Sequence, residues 1–202
     1  MTGLEALILA AGAGSRFGGG KLLASWRDGV VLDGAIRAAL AAPADQVTLV
    51  WGADPRVPDA ATACVQRLGA ETRLSLVYAP VHTEGLGASL AAGIKSMRSD
   101  ARGVFVFLGD MPAVPDDIAQ KLAVALTDGA DAVAPVMNGR RGHPVLFGRG
   151  LLPKLADLNG ERGAAGLLTA IDDRLTLLPT SDHGVLFDID TREDLLVDHG
   201  SG

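Results

Sequence analysis

The sequence predicts an α/β fold: a Rossmann-like, three-layer α/β/α arrangement around a mainly parallel, mixed sheet. Three observations carry that expectation. Short, almost continuous apolar runs recur along the chain, and amphipathic helical patterns separate most of them. The stretch VAPVMNGRRGHPVLFG has room for two strands and a polar turn but none for a helix, so an antiparallel element joins the sheet there. The first apolar run opens into a glycine-rich loop, LILAAGAGSRFGGGKLL, of the sort that brings backbone amides close to a phosphate.

The elements follow in order. Ala6–Ala10 is the first strand. Val31–Ala42 is a helix, because Val31, Leu32, Ala35, Ile36, Ala39 and Leu40 share one face. Val47–Trp51 is a strand, and Pro58–Leu68 a helix opened by a proline that needs no N–H there. Leu74–Tyr78, the helix Gly87–Met97 and the strand Val104–Leu108 come next, then a helix over Pro115–Leu126. Ala132–Val136 and Pro144–Phe147 are the strands around the polar turn. Leu175–Leu178 and Val185–Ile189 read as further strands, and Thr191–Val197 as a closing helix. Such folds hold ligands at the carboxyl ends of their strands. That rule directs attention to Ala10–Lys21, Ala79–Gly87, Gly109–Pro112 and Asp188–Thr191.

Composition narrows the function. The 202 residues favour one domain, 1–202, large enough for a sizeable core. With 48% hydrophobic and 21% charged residues the chain reads as soluble. A formal charge of -6 excludes broad attraction to nucleic acid, and the isolated Trp26 and Trp51 offer no base-stacking platform. No signal-peptide pattern and no membrane-length apolar run is visible, and the lone Cys64 permits no internal disulfide; a cytoplasmic location is expected.

Gly12, Gly14 and Gly18 spell GxGxxxG, a loose match to a dinucleotide cradle and hence to an NAD(P)-dependent oxidoreductase. Asp33 even resembles the acidic residue that reads the ribose of a dinucleotide. The following glycines argue otherwise. A dinucleotide fold needs a helix starting within the loop, yet Gly18-Gly19-Gly20 comes at once, each interior glycine costing about 1 kcal/mol of helix stability. The loop also carries two cations, Arg16 and Lys21. A triphosphate, with roughly four negative charges, calls for such side chains as well as amides.

From here the residues resemble a known family. Leu9-Ala10-Ala11-Gly12, followed by Arg16, Gly18 and Lys21, is similar to the signature LAAGxSxRxGxxK of nucleotidyltransferases with the nucleotide-diphospho-sugar transferase fold. Gly85 to Ile94, GLGASLAAGI, resembles the G(M/L)GxSLAAG(I/L) stretch of the molybdenum cofactor cytidylyltransferase group. Gly109-Asp110-Met111-Pro112 is similar to its GDMP segment, Arg141 to Val145 to its RGHPV segment, and Asp188 to Leu195 to its DIDTPEDL ending. The matches are collinear and span nearly the whole chain. Gly14 stands where the signature often has Ser, Phe17 where it often has Met, and Arg192 where it has Pro. Asn159 to Ala165 resembles a GDxGAR segment, with Glu161 for Asp and Ala165 for Arg, which bears on the acceptor.

The resemblance implies an Mg²⁺-dependent transfer of CMP from CTP to molybdopterin, with pyrophosphate leaving and a molybdoenzyme apo-protein as a downstream partner. Arg16 and Lys21 would be catalytic, Arg16 on the β- and γ-phosphates and Lys21 at the α-phosphate. Leu9, Ala10, Ala11, Gly12, Gly14, Gly85, Gly87 and Ser89 would bind the nucleotide. Arg141 and His143 would face the acceptor. Asp110 and Asp190 would hold Mg²⁺, with Asp188 a less favoured ligand. Ala11, where guanylyl-transferring relatives tend to have glycine, leans toward cytosine. GTP, or a sugar or alcohol phosphate acceptor, is the nearest alternative. A non-catalytic cofactor carrier would not need both carboxylates together with Arg16 and Lys21.

Overall fold

The alternation of apolar runs and helices builds a mixed eight-stranded sheet. This computed structural model describes residues 3–126, 130–160 and 163–196. The strands are β1 (Leu4–Ala10), β2 (Ser25–Trp26), β3 (Gly29–Val30), β4 (Gln46–Trp51), β5 (Leu74–Tyr78), β6 (Gly103–Leu108), β7 (Ala132–Met137), β8 (Arg140–Arg141), β9 (Val145–Gly148) and β10 (Leu175–Pro179). Strands β2 and β3 form a separate small hairpin. The main sheet runs β10-β7-β9-β6-β1-β4-β5, with β8 paired to β7. Central β1 lies parallel to β4 and β6, so Leu9 stands opposite both Val50 and Leu108. β9 runs antiparallel between β6 and β7, and β8 antiparallel to β7. This is the antiparallel element expected around Asn138 and Gly139.

Alternation along β1 divides the core. Ala6, Ile8 and Ala10 pack with Leu32 and Ile36 of α1 (Val31–Ala41), Ala61 and Val65 of α2 (Val57–Arg67), and other buried residues of that face. Leu7 and Leu9 face the other layer, where Leu90 and Ile94 of α3 (Leu86–Ser96) pack. Ile118 and Leu122 of α4 (Ile118–Ala125) join the first layer. Leu155 of α5 (Leu152–Ala156) and Leu168 and Ile171 of α6 (Ala165–Ile171) join the second. Each large side chain so buried contributes about 1.5–3 kcal/mol. Cys64 belongs to this core: burial, and then the nearby Asp33 carboxylate, push its thiol up to about 12. Among the described residues no helix is long and apolar enough to cross a membrane.

Two expectations need correction. Val185–Ile189 is not a strand. His183–Val185 is a single 3₁₀ turn, and the segment beyond it makes no ladder. The sheet's edge is already taken by β10 beside β7, so this segment crosses near the strand ends, tied by Ile189 N–H to the Asp110 carbonyl at 2.9 Å. The closing helix is also shorter than expected, a 3₁₀ segment over Glu193–Leu196, with Val197 outside the described residues. α5 and α6 were not anticipated.

A third, small cluster explains how that crossing segment is held. Phe17, Trp26, Val31 and Ile189 are buried together, with Phe187 and Leu195 against them, and the Arg192 guanidinium lies 5.0 Å from the Phe17 ring centre. Phe17 thus joins the glycine loop to the residues before Asp190. Phe17→Ala is expected to destabilise the protein by about 3 kcal/mol, a figure at the low end for buried phenylalanines because the site is peripheral. Urea unfolding followed by circular dichroism measures it; a loss under about 1 kcal/mol would mean that the cluster does not hold the loop.

Candidate active site

The loop after β1 turns where only glycine turns easily. Gly14, Gly18, Gly19 and Gly20 have φ of 60°, 90°, 89° and 68°. The Gly19 N–H closes back onto the Gly14 carbonyl at 3.1 Å. A 3₁₀ turn, Ser15–Phe17, lies among these glycines and another, Lys21–Leu23, follows them, and among the described residues no α-helix begins before Val31. The loop therefore lacks the helix start that a dinucleotide cradle requires.

The two cations of the loop meet two of the singled-out carboxylates. Lys21 Nζ donates to Asp110 Oδ2 at 2.7 Å and to Asp190 Oδ1 at 3.3 Å. Arg16 NH1 reaches Asp190 Oδ2 at 3.3 Å, with the Arg16 side chain 81% exposed and that of Lys21 only 12%. Burial works against the Lys21 charge, but Asp110 and Asp190 outweigh it and hold the ammonium above its ordinary range. Asp188 lies near the same carboxylates: burial, then Asp110 and Asp190, push its own carboxyl up. Asp188 and Asp190 do not stand on a strand, since Val185–Ile189 forms none. Asp190 is fixed instead by its neighbours, as the Asp194 carboxylate accepts from the N–H groups of both Asp190 and Thr191. Two backbone contacts position the Asp110 loop. A Cβ on Gly34 of α1 would collide with the Pro112 carbonyl, and one on Gly184 with that of Ala113.

One recess adjoins this cluster, and a second shares Leu9 with the first. One, of about 90 Å³, lies between the glycine loop (Gly12, Gly14, Gly20, Lys21), Asp110 and Asp54. The other, of about 210 Å³, is mostly apolar. Leu86 and Leu90 of α3 form one wall, Arg141 and His143 another, and Ala165 and Leu168 of α6 a third. His143 is half-buried, and desolvation holds its imidazole below the usual range, toward the neutral form; Nδ1 lies 3.4 Å from the Val106 carbonyl. Arg141 is exposed on β8.

The remaining predicted residues are placed as follows. Leu9, Ala10 and Ala11 are buried at the end of β1. Gly85 caps α3 with φ 110°. Gly87 packs against backbone, its N–H on the Gly160 carbonyl at 2.9 Å, and a Cβ there would lie 2.6 Å from the Asn159 carbonyl. Ser89 is buried and its hydroxyl donates to the Gly85 carbonyl at 3.4 Å, inside the helix. Ala165 opens α6 on the wall of the larger recess, while Glu161 lies outside the described residues. Asp54 was missed by the sequence reading. It follows β4, lines the loop recess and is held ionised, its carboxyl lowered by the Arg56 guanidinium that grips it at 2.9 and 2.7 Å. The strand-end rule, applied to β4 as to the other strands, finds it.

A glycine loop carrying cations at the end of a central parallel strand, facing paired carboxylates, defines a nucleotidyltransferase. The chain belongs to the MobA-like NTP transferase domain family, whose model matches residues 6–175. It is 26% identical over 196 residues to the molybdenum cofactor cytidylyltransferase of Escherichia coli (strain K12), covering 97% of this chain and 95% of that one. It is also 28% identical over 197 residues to the nicotine blue oxidoreductase of Paenarthrobacter nicotinovorans, covering 94% and 93%. Among solved structures, Rv0371c from Mycobacterium tuberculosis H37Rv superposes with a TM-score of 0.76 at 26% identity, covering 95% and 94%. A manganese complex of Rv0371c matches with a TM-score of 0.66 at 23% identity, covering 88% and 87%.

Proposed function

We propose that the chain transfers CMP from CTP to molybdopterin, releasing pyrophosphate, and that the product passes to a molybdoenzyme apo-protein. The observation that carries this reading is the convergence of Lys21, Asp110 and Asp190 beside a larger, mostly apolar recess. That recess suits a flat heterocycle, and Arg141 at its rim suits a phosphate. The likeness to the Escherichia coli cytidylyltransferase supports the choice of base and acceptor. In this reading the triphosphate lies along Ala11–Gly14. Arg16 grips its outer phosphates, and the α3 end around Gly85 and Gly87 walls the base. The acceptor phosphate enters from the Arg141 and His143 side. Two anions must approach, so the chain's chief task is to neutralise charge and align the attack. The acceptor phosphate is already ionised, and neutral His143 serves to orient it, not to take a proton.

Mg²⁺ fits the carboxylates. Asp110 and Asp190 present oxygens to a single cationic point, and among the described residues no cluster of three or more His, Cys, Asp or Glu side chains forms. Mg²⁺ takes one or two carboxylates and completes its shell with water and substrate phosphates, so two suffice. Bound there, it would supply neutralisation of the α-phosphate charge as the bond to pyrophosphate breaks. That one structure of Rv0371c is a manganese complex supports a divalent ion as cofactor.

The likeness to nicotine blue oxidoreductase favours a second reading, an oxidoreductase, for which the GxGxxxG match suggests a nicotinamide cofactor. Calorimetric titration of CTP, GTP, ATP, UTP and NADH in the presence of Mg²⁺ separates the two. CTP is expected to bind at least about tenfold more tightly than the rest, a difference of about 1.4 kcal/mol. GTP preference would replace the base, and NADH binding without any triphosphate binding would replace the reaction.

A further inference from the structure

We infer that Lys21 closes the metal site until a nucleotide arrives, so the chain takes up its divalent ion with the triphosphate and not before it. The inference rests on the reading of Asp110 and Asp190 as the metal ligands. Its basis is that the ammonium already occupies the position those ligands define. Nζ stands 2.7 Å from Asp110 Oδ2 and 3.3 Å from Asp190 Oδ1. A magnesium-sized ion needs the same oxygens at about 2.0–2.1 Å, and two cations cannot share that space.

The ammonium is also held in place. Lys21 begins the 3₁₀ turn Lys21–Leu23, directly after Gly20. The side chain is only 12% exposed, so to leave the carboxylates without a new anion it would have to surrender two charge-assisted bonds from a shielded position. Arg16 screens the outer face of Asp190. A free divalent ion must therefore displace one cation and contend with a second. A triphosphate removes both obstacles. Its oxygens give Lys21 and Arg16 new partners, and the freed carboxylates then meet a metal already held by the phosphates. Lys21 is in this sense an exchange residue, passing from carboxylate to phosphate as the metal takes its place.

The test is Mn²⁺ binding without nucleotide, followed by electron paramagnetic resonance of the free ion. Wild type is compared with Lys21→Met, which keeps the stem and removes the charge, and with Lys21→Met/Asp110→Asn. Wild type is expected to bind Mn²⁺ weakly, Lys21→Met at least tenfold more tightly, and the double variant weakly again. The same gain should appear as an Mn²⁺-dependent rise in the melting temperature of Lys21→Met alone. Tight binding by wild type without nucleotide would overturn the inference and needs no variant to fold. So would Lys21→Met binding no better than wild type; if Mn²⁺-dependent transfer by wild type were then still abolished by Asp110→Asn, the metal reading would stand and only the role of Lys21 would fall. Equal binding by the single and double variants would remove the metal from Asp110, and the inference with it.

Discussion

Asp110→Asn is expected to slow nucleotidyl transfer on the order of 10³-fold, equivalent to about 4 kcal/mol of transition-state stabilisation. The substitution preserves shape and removes one charge. Three features of Asp110 make the effect large. It lies two residues beyond β6, the neighbour of β1, so a short path joins it to the glycine loop. Its carboxylate is the shorter of the two contacts to Lys21. Its carbonyl accepts from Ile189 N–H, so its backbone also fixes the strand-end segment that carries Asp190. An amide can replace the hydrogen bond but not the charge that a divalent ion and Lys21 both require. Steady-state kinetics with CTP and molybdopterin measure the loss, alongside a melting curve to show that the fold is kept. A loss below about tenfold would take the metal away from Asp110.

Much of this site was legible in the sequence because its parts are local. A strand followed by glycines and two cations is written in one stretch, and the positive φ at Gly14, Gly18, Gly19 and Gly20 explains why those positions carry no side chain. Asp110 follows from the apolar run that precedes it. What escaped depends on contacts between distant segments. Val185–Ile189 is apolar enough for a strand, but whether a run pairs depends on which edges are free, and β10 already fills the place beside β7. α5 and α6, of five and seven residues, are too short for helical periodicity to register, and packing against the sheet sustains them. Ser89 has a backbone partner at Gly85 that only its place within α3 supplies. The Phe17 cluster joins the loop after β1 to residues near the other end of the chain, and nothing in either stretch announces the other.

Lys21→Met is expected to lower kcat on the order of 10²-fold while KM for CTP changes by less than about threefold. The asymmetry follows from the resting contacts. In the free protein the ammonium is already paired with Asp110 and Asp190, so ground-state binding of the nucleotide exchanges one set of anionic partners for another and gains little. With the triphosphate placed as proposed, the gain comes later, as charge accumulates around the α-phosphorus. An interaction that strengthens only in the transition state appears in kcat. Arg16 contrasts with it. Its side chain is mostly exposed and its contact to Asp190, at 3.3 Å, is long, so a phosphate is a clear improvement for it already in the ground state. If KM rose tenfold or more in Lys21→Met with kcat kept, Lys21 would be a binding residue only. The same variant is expected to bind Mn²⁺ more tightly and turn over more slowly, a pairing that loss of folding cannot produce.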